Sequence, residues 1–354
     1  MKISIGTNIK EGPWGGGNLF AKNLKNFLEN NNHEVITTLN DDDIDIILMT
    51  EPRKTSESSA FTHFDVLNYQ KYINKESLVF HRINECDERK NTNYINKYII
   101  NANQVSDYTI FVSTWLQNLY NTQGIKKINN HVILSGANKD IFNSKNFIGW
   151  NKKDKLKIVT HHWGANWNKG FDIYEKLDDM LSTNEWKDKF EFTYIGNLPT
   201  NFKFKNSNYI TPLSGNDLAS KLKSNHLYLT ASLNEPSGNH HIEAAQCGLP
   251  LIYIDSGGIP EYCEGFGIKF NENNFIEKFN NCFTNYDELK NNMNNYHLSS
   301  SKMCQQYEEL FLKAISNKQE VINSRKSYIN VQTSNRLIYF IIRKLKQYLK
   351  NNTF

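Results

Sequence analysis

Two kinds of hydrophobic run alternate along this chain. Short, nearly continuous apolar stretches rich in Ile, Val and Thr recur at 3–9, 33–39, 44–50, 77–83, 108–114 and 131–137. Such runs predict strands covered on both faces of a parallel sheet. Between the first two, Leu19, Phe20, Leu24, Phe27 and Leu28 fall at helical spacing within 17–32, so a helix is expected there. A polar break at 143–155 interrupts the pattern, which then restarts. Strands are predicted at 156–161, 190–195, 208–211, 226–231, 250–254 and 267–270, and helices at 170–183, 216–224, 238–247, 274–283 and 298–317. Two successive αβ alternations predict an α/β protein of two doubly wound, Rossmann-like domains. Ligands of such sheets bind at the carboxyl ends of the strands, so the cleft between the domains is the expected site. The expected boundaries are 1–148, 149–297, a final helix at 298–317 crossing back to the first domain, and a helical tail at 318–354.

Composition narrows this picture. The 354 residues give room for two domains, and 39% hydrophobic content is ample for two cores, which excludes a wholly disordered chain. The longest apolar run, 337–342, is far short of the roughly 20 residues of a membrane span. Residues 1–6 read as a strand and not as a signal peptide. Five scattered cysteines without a C-x-x-C suggest neither a disulfide framework nor a cysteine zinc site. These features lead us to expect a cytoplasmic location. The charge is unevenly placed. Residues 318–354 carry eight Lys/Arg and one acid, Glu320, leaving 33 basic and 36 acidic groups in the body. The body has no basic stripe of the kind nucleic acid requires.

The densest chemical signal is the segment 235–250, Glu-Pro-Ser-Gly-Asn-His-His-Ile-Glu-Ala-Ala-Gln-Cys-Gly-Leu-Pro. It lies between two predicted strands. Pro236 and Gly238 make a turn and a helix starts near 238, offering free N–H groups and a positive dipole end to a phosphate. Glu235 stands just outside that helix and Glu243 inside it. Two carboxylates about a phosphate-binding helix start suit the two polar ends of a nucleotide sugar. Helix capping plus a solvated Glu is the plainer alternative.

This segment resembles the E-P-x-G-x-x-x-x-E-A-x-x-x-G-x-P pattern of the retaining, GT-B-fold glycosyltransferases of family 4. Five further resemblances to that family follow in chain order. They are the glycine-rich Gly15-Gly16-Gly17-Asn18-Leu19-Phe20, the segment 111–116 (Phe-Val-Ser-Thr-Trp-Leu), and 132–142 before the linker. Asn168-Lys169-Gly170-Phe171-Asp172 and Ser256-Gly257-Gly258-Ile259-Pro260-Glu261 complete the set. Together they cover about 1–317.

The resemblance implies roles residue by residue. Glu243 would hold the donor ribose and Lys169 the diphosphate. The backbone at Gly238 and Asn239 would approach phosphate or sugar. Glu235 would face the donor sugar near its reacting carbon, and Gly15, Gly16 and Gly17 would lie under the diphosphate or acceptor. No metal or other cofactor is implied, because cations and the helix dipole do the neutralising. The family usually places an Arg five residues before this Lys, where Gly164 stands here. The Gly164 amide, His162 and Asn166 are the available replacements. His81 is expected to end an N-domain strand against the cleft, so that His81 or Arg82 touches sugar or acceptor. The alternative for Arg82 is an ion pair with Glu85 or Asp87. Glu11, Trp14 and Asn18 are weaker acceptor-side candidates. The His161-His162 and His240-His241 pairs have poor geometry for one metal ion, since adjacent strand residues face opposite ways.

In the tail, Leu337, Ile338, Ile341, Ile342, Leu345, Tyr348 and Leu349 share one helical face, and Arg343, Lys344, Lys346, Gln347 and Lys350 fall mostly on the other. A basic amphipathic helix of this kind suits an anionic membrane surface, through 335–350 at the inner face of the membrane. Packing on the protein's own body or on a partner helix is the alternative. The implied activity is retaining transfer of a sugar from a nucleotide-diphosphate sugar to a hydroxyl of a glycan or lipid-linked acceptor. A non-catalytic GT-B binding protein and a sugar-nucleotide epimerase remain as alternatives.

Overall fold

The computed structural model describes residues 1–12, 14–125, 129–325 and 337–345. The first sheet comprises β1 (Lys2–Ile5), β2 (Glu34–Ile36), β3 (Ile46–Met49), β4 (Leu78–Ile83), β5 (Tyr108–Phe111) and β6 (Asn130–Val132). The second comprises β7 (Leu156–His162), β8 (Phe190–Gly196), β9 (Asn208–Ile210), β10 (Leu227–Thr230), β11 (Leu251–Ile254) and β12 (Gly267–Phe270). Their orders are β2-β1-β3-β4-β5-β6 and β12-β11-β10-β7-β8-β9, and every strand pair is parallel. In both sheets the order reverses beside the first strand. That reversal leaves a crevice at the carboxyl ends, where the connecting helices diverge to opposite faces. The inner strands are buried along their length: Ile46, Ile47, Leu48 and Met49 are all 0% exposed. This is why those runs read as continuous apolar stretches and not as alternation.

Helices on the first sheet are α1 (Gly15–Asn30), α2 (His63–Tyr72), the single turn α3 (Asp87–Lys90), α4 (Ile95–Asn103) and α5 (Thr114–Thr122). The second carries α6 (Phe171–Met180), α7 (Gly215–Lys223), α8 (Asn239–Gln246), α9 (Ile259–Cys263), α10 (Phe275–Thr284) and α11 (Tyr286–Asn292). The chain then returns through α12 (Ser300–Ser316) and α13 (Lys318–Ser324). Met303, Cys304, Tyr307 and Phe311 of α12 are buried in the core of the first sheet with Phe20, Leu24 and Phe80. The outgoing and returning strands meet where Ser300 N–H donates to Ala137 O at 2.8 Å. A Cβ on Gly136 would lie 2.1 Å from the Ser299 carbonyl carbon, so this crossing demands glycine.

All five cysteines are free and buried. The helical segment 337–345 lies on the first domain. Tyr339 stacks on Tyr72 at 4.4 Å, and Arg343 bonds Asp42 at 3.2 Å and the Leu39 carbonyl. Leu337, Ile338, Ile341, Ile342 and Leu345 face outward, each 47–61% exposed. Tyr348, Leu349 and the lysines from 346 onward lie outside the described residues.

Candidate active site

Three loops at the carboxyl ends of the strands build the site. The first follows β7 and ends in the turn Trp167–Lys169. It presents Lys169, whose side chain is 9% exposed. The second runs from β10 to α8 and presents Glu235, 6% exposed. Lys169 Nζ donates to Glu235 Oε2 at 2.5 Å. The third comes from the first domain. Arg89, in α3, places its Nε 3.0 Å from Glu235 Oε1. Glu85 in turn pairs with Arg89 at 3.1 Å and with Lys90 at 2.7 Å. Burial alone would raise the Glu235 carboxyl, but Arg89 and Lys169 hold it below the ordinary carboxylate range. Burial pulls the Lys169 ammonium below its usual value, and Glu235 opposes that pull.

Glu235 is held by its own backbone. Gly258 N–H donates to Glu235 O at 2.9 Å, and Asn234 N–H donates to Ser256 Oγ at 2.9 Å. The 256–258 loop therefore braces the 234–236 turn. Gly238 follows with φ of 73°, and a Cβ there would meet His240 Cε1 at 2.7 Å. Helix α8 begins at Asn239 with no side-chain cap, leaving its first amides without an intrahelical or side-chain acceptor. Gly16, in the first turn of α1, faces this helix start, for a Cβ on it would lie 3.0 Å from Asn239 Nδ2. The starts of α1 and α8 thus converge across the cleft.

Glu243, one turn into α8, accepts from His161 Nε2 at 2.9 Å. A carboxylate only accepts, so Nε2 is the donor, and Tyr228 Oη lies 3.2 Å from Nδ1. His162 Nε2 lies 2.7 Å from Tyr174 Oη, and His240 Nε2 lies 2.8 Å from Thr230 Oγ1. Burial drives His162 and His240 well below the usual imidazole value, and His241 down to about 3. The two histidine pairs pack as one layer, the His240 ring lying 4.5 Å from His162, 4.8 Å from His241 and 6.3 Å from His161 between centroids. Among the described residues no group of three or more His, Cys, Asp or Glu is arranged to hold a metal.

Several expectations need correction. His81 does not end a strand at the cleft. It is the fourth residue of β4, 1% exposed, and its Nδ1 accepts from Asn103 Nδ2 at 3.1 Å. Burial lowers it to about 3. β4 ends at Ile83, as the apolar run 77–83 predicts, so His81 sits two residues inside the strand and is buried under α4. Arg82, on the opposite face, pairs with neither Glu85 nor Asp87; its guanidinium lies 3.9 Å from the centroid of the Phe20 ring. Gly15, Gly16 and Gly17 form the first turn of α1 and not a loop, and Asn18 ties that turn to the preceding segment through two 2.8 Å bonds with the Lys10 backbone. Glu11 pairs with Lys22, and Trp14 sits beneath the Lys10 ammonium. Gly164 lies open, with Lys169 Cε 3.4 Å from where its Cβ would be.

Sequence reasoning passed over Arg89, and it named Glu261 only as the last residue of the 256–261 motif, without a role. Glu261 reaches from α9 to cap α5 of the other domain, accepting from Thr114 N–H and Trp115 N–H at 2.7 Å each. Tyr262 O–H donates to the Val112 carbonyl beside it. The glycine-pair motif at 256–261 and the motif at 111–116 therefore meet in space. We expect Glu261→Ala to cost about 1–2 kcal/mol of stability. Hydrogen exchange should show the Thr114 and Trp115 amides losing protection ahead of the α5 interior. Unchanged protection would remove Glu261 as an interdomain clamp.

No family model matches the chain, and no curated protein sequence matches it. Among solved structures, Anabaena HepE, crystallised with UDP-glucose, is similar at a TM-score of 0.64 and 14% identity, covering 88% of this chain and 100% of that one. Sucrose-phosphate synthase from Thermosynechococcus elongatus is similar at 0.62 and 11% identity, covering 89% and 99%. AviGT4, a glycosyltransferase involved in avilamycin A biosynthesis, is similar at 0.61 and 12%, covering 89% and 98%. The two parallel sheets and their helices have the GT-B fold of glycosyltransferases.

Proposed function

We propose that this protein is a retaining family 4 glycosyltransferase. It moves a sugar from a nucleoside-diphosphate sugar to a hydroxyl of a glycan or lipid-linked acceptor. The observation that carries the reading is the buried Lys169–Glu235 pair beside the uncapped start of α8, with Glu243 one turn further in. In the bound state Glu243 accepts from the ribose hydroxyls. Lys169 and the α8 amides neutralise charge growing on the departing diphosphate, where fixed donors act most strongly. Glu235, released from its cations, faces the sugar. The complexes of HepE with UDP and UDP-glucose make a uridine donor the first to test.

The test is release of UDP from UDP-glucose by purified protein, with and without hydroxyl acceptors. Release that Lys169→Ala abolishes supports the reading. Retention at the anomeric carbon is read from the product by NMR. No turnover with any common nucleotide sugar would favour a non-catalytic binding protein, the reading that Gly164 supports. An epimer formed from donor alone would favour an epimerase.

We also propose that the tail contacts an anionic membrane at the inner face. The support is the segment 337–345, held to the body by Tyr339 and Arg343 while its apolar side chains point outward. Among the described residues no helix is long and apolar enough to cross a membrane. We expect the protein to sediment with vesicles containing about one third phosphatidylglycerol and not with neutral ones. Replacing Ile338, Ile341 and Ile342 with Ser should abolish sedimentation. Equal sedimentation of that variant would contradict a membrane role for this face.

A further inference from the structure

The cluster around Glu235 contains two carboxylates, Glu85 and Glu235, and three cations, Arg89, Lys90 and Lys169. Lys169 alone cannot neutralise a diphosphate while its charge is matched by Glu235. Over these pairs the extra cation lies in the first domain, on α3, whose own carboxylates are turned elsewhere: Asp87 to the Ile95 and Asn96 amides and Glu88 to Asn96 Nδ2. That turn is held firmly. Asp87 accepts from the backbone amides of Tyr94, Ile95 and Asn96 and from Thr92 Oγ1, which locks α3 against the start of α4. Two C-domain side chains reach its backbone: Asn168 Nδ2 donates to Arg89 O and Asn234 Nδ2 to Glu88 O, both at 3.4 Å. The Arg89 guanidinium thus arrives at the donor site on a rigid support, and only when the two domains are together.

Resting on the proposed donor site, we propose that Arg89 is a diphosphate-binding residue supplied by the opposite domain. The Glu235 oxygen that now faces it stands where a phosphate oxygen of the bound donor would lie. Binding exchanges one anion for the other. Arg89 and Lys169 then flank the diphosphate, and Glu235 is freed toward the sugar. Guanidinium suits this exchange because its planar donor fork matches phosphate as well as carboxylate. The arrangement also couples donor binding to domain closure, since opening the cleft withdraws Arg89.

The experiment compares UDP with UMP by titration calorimetry. Arg89→Ala should weaken UDP binding roughly 10- to 100-fold while UMP changes little, so that the preference for the diphosphate collapses. Arg89→Lys should keep part of that preference. Gly164 offers a rescue, because a side chain there would lie against Lys169 from the C-domain side. Gly164→Arg in the Arg89→Ala background should restore much of the preference. Thermal melting of each variant checks folding, and a purely structural loss would weaken UDP and UMP alike. If UDP binding depends on Lys169 but Arg89→Ala leaves the UDP-to-UMP ratio unchanged, this proposal falls and the donor-site reading stands. If the wild type binds no UDP, ADP, GDP or CDP, both fall together.

Discussion

Lys169→Ala is expected to lower UDP release from UDP-glucose by about 10²- to 10³-fold, the usual loss when one fixed donor to developing charge is removed. The same change should destabilise the protein. Lys169 and Glu235 are both buried, and removing one partner leaves the other charged in a dry setting. The cost should be about 3 kcal/mol, the low end for breaking a buried pair, because Arg89 stays beside Glu235. Removing both charges together, as Lys169→Met with Glu235→Gln, should cost less than the two single changes summed, with a coupling of about 1–3 kcal/mol. Melting of the four proteins checks this. Additive single changes would mean that the pair is not an energetic unit. Activity separates the two roles, since the double variant should regain stability and remain inactive.

The second large effect is acid sensitivity. His81 and His241 have folded values of about 3, against 6.5 for a free imidazole, and His162 and His240 lie well below 6.5. Burial is the first cause in all four. As pH falls below 6.5 the unfolded chain takes up protons at these sites while the folded chain does not. Stability contributed by the neutral rings is therefore complete above pH 6.5 and is lost as pH falls toward 3. Each ring that stays neutral loses about 2 kcal/mol between pH 7 and pH 5. His81 and His241 together lose about 4 kcal/mol, a large part of a typical domain's stability, and His162 and His240 act in the same direction. We expect the urea midpoint to fall steeply over that range, and His241→Phe to make the fall shallower by about one proton. A midpoint that stays flat from pH 7 to 5.5 would mean that the histidine layer admits water.

The fold was legible because its signals are local. Each of the twelve predicted strand runs overlaps a strand, usually shorter than the run, since the last residues of a run such as 108–114 turn into the following helix. Part of the site was legible for the same reason. Glu235, Gly238 and Glu243 lie within nine residues, on a strand–turn–helix unit that fixes their placement. Arg89 was not legible. Within Asp87-Glu88-Arg89-Lys90 it looks like part of a solvated charge run, and its partner Glu235 is far away in sequence. Glu261 was legible as a motif residue but its role was not, for the same cause: its partners Thr114 and Trp115 lie in the other domain. His81 failed differently. The predicted run 77–83 already places His81 two residues before the strand's end, inside the sheet, where the Asn103 amide satisfies the ring and allows it to be buried.

The measurement that bears most directly on a nucleotide-diphosphate donor site is calorimetric titration of the wild-type protein and Glu243→Ala with UDP. The account predicts saturable binding by the wild type. In the variant it predicts binding roughly 10- to 100-fold weaker, from lost charge-assisted bonds to the ribose. Binding of equal strength by the two proteins, or none by the wild type to UDP, GDP, ADP or CDP, would contradict it.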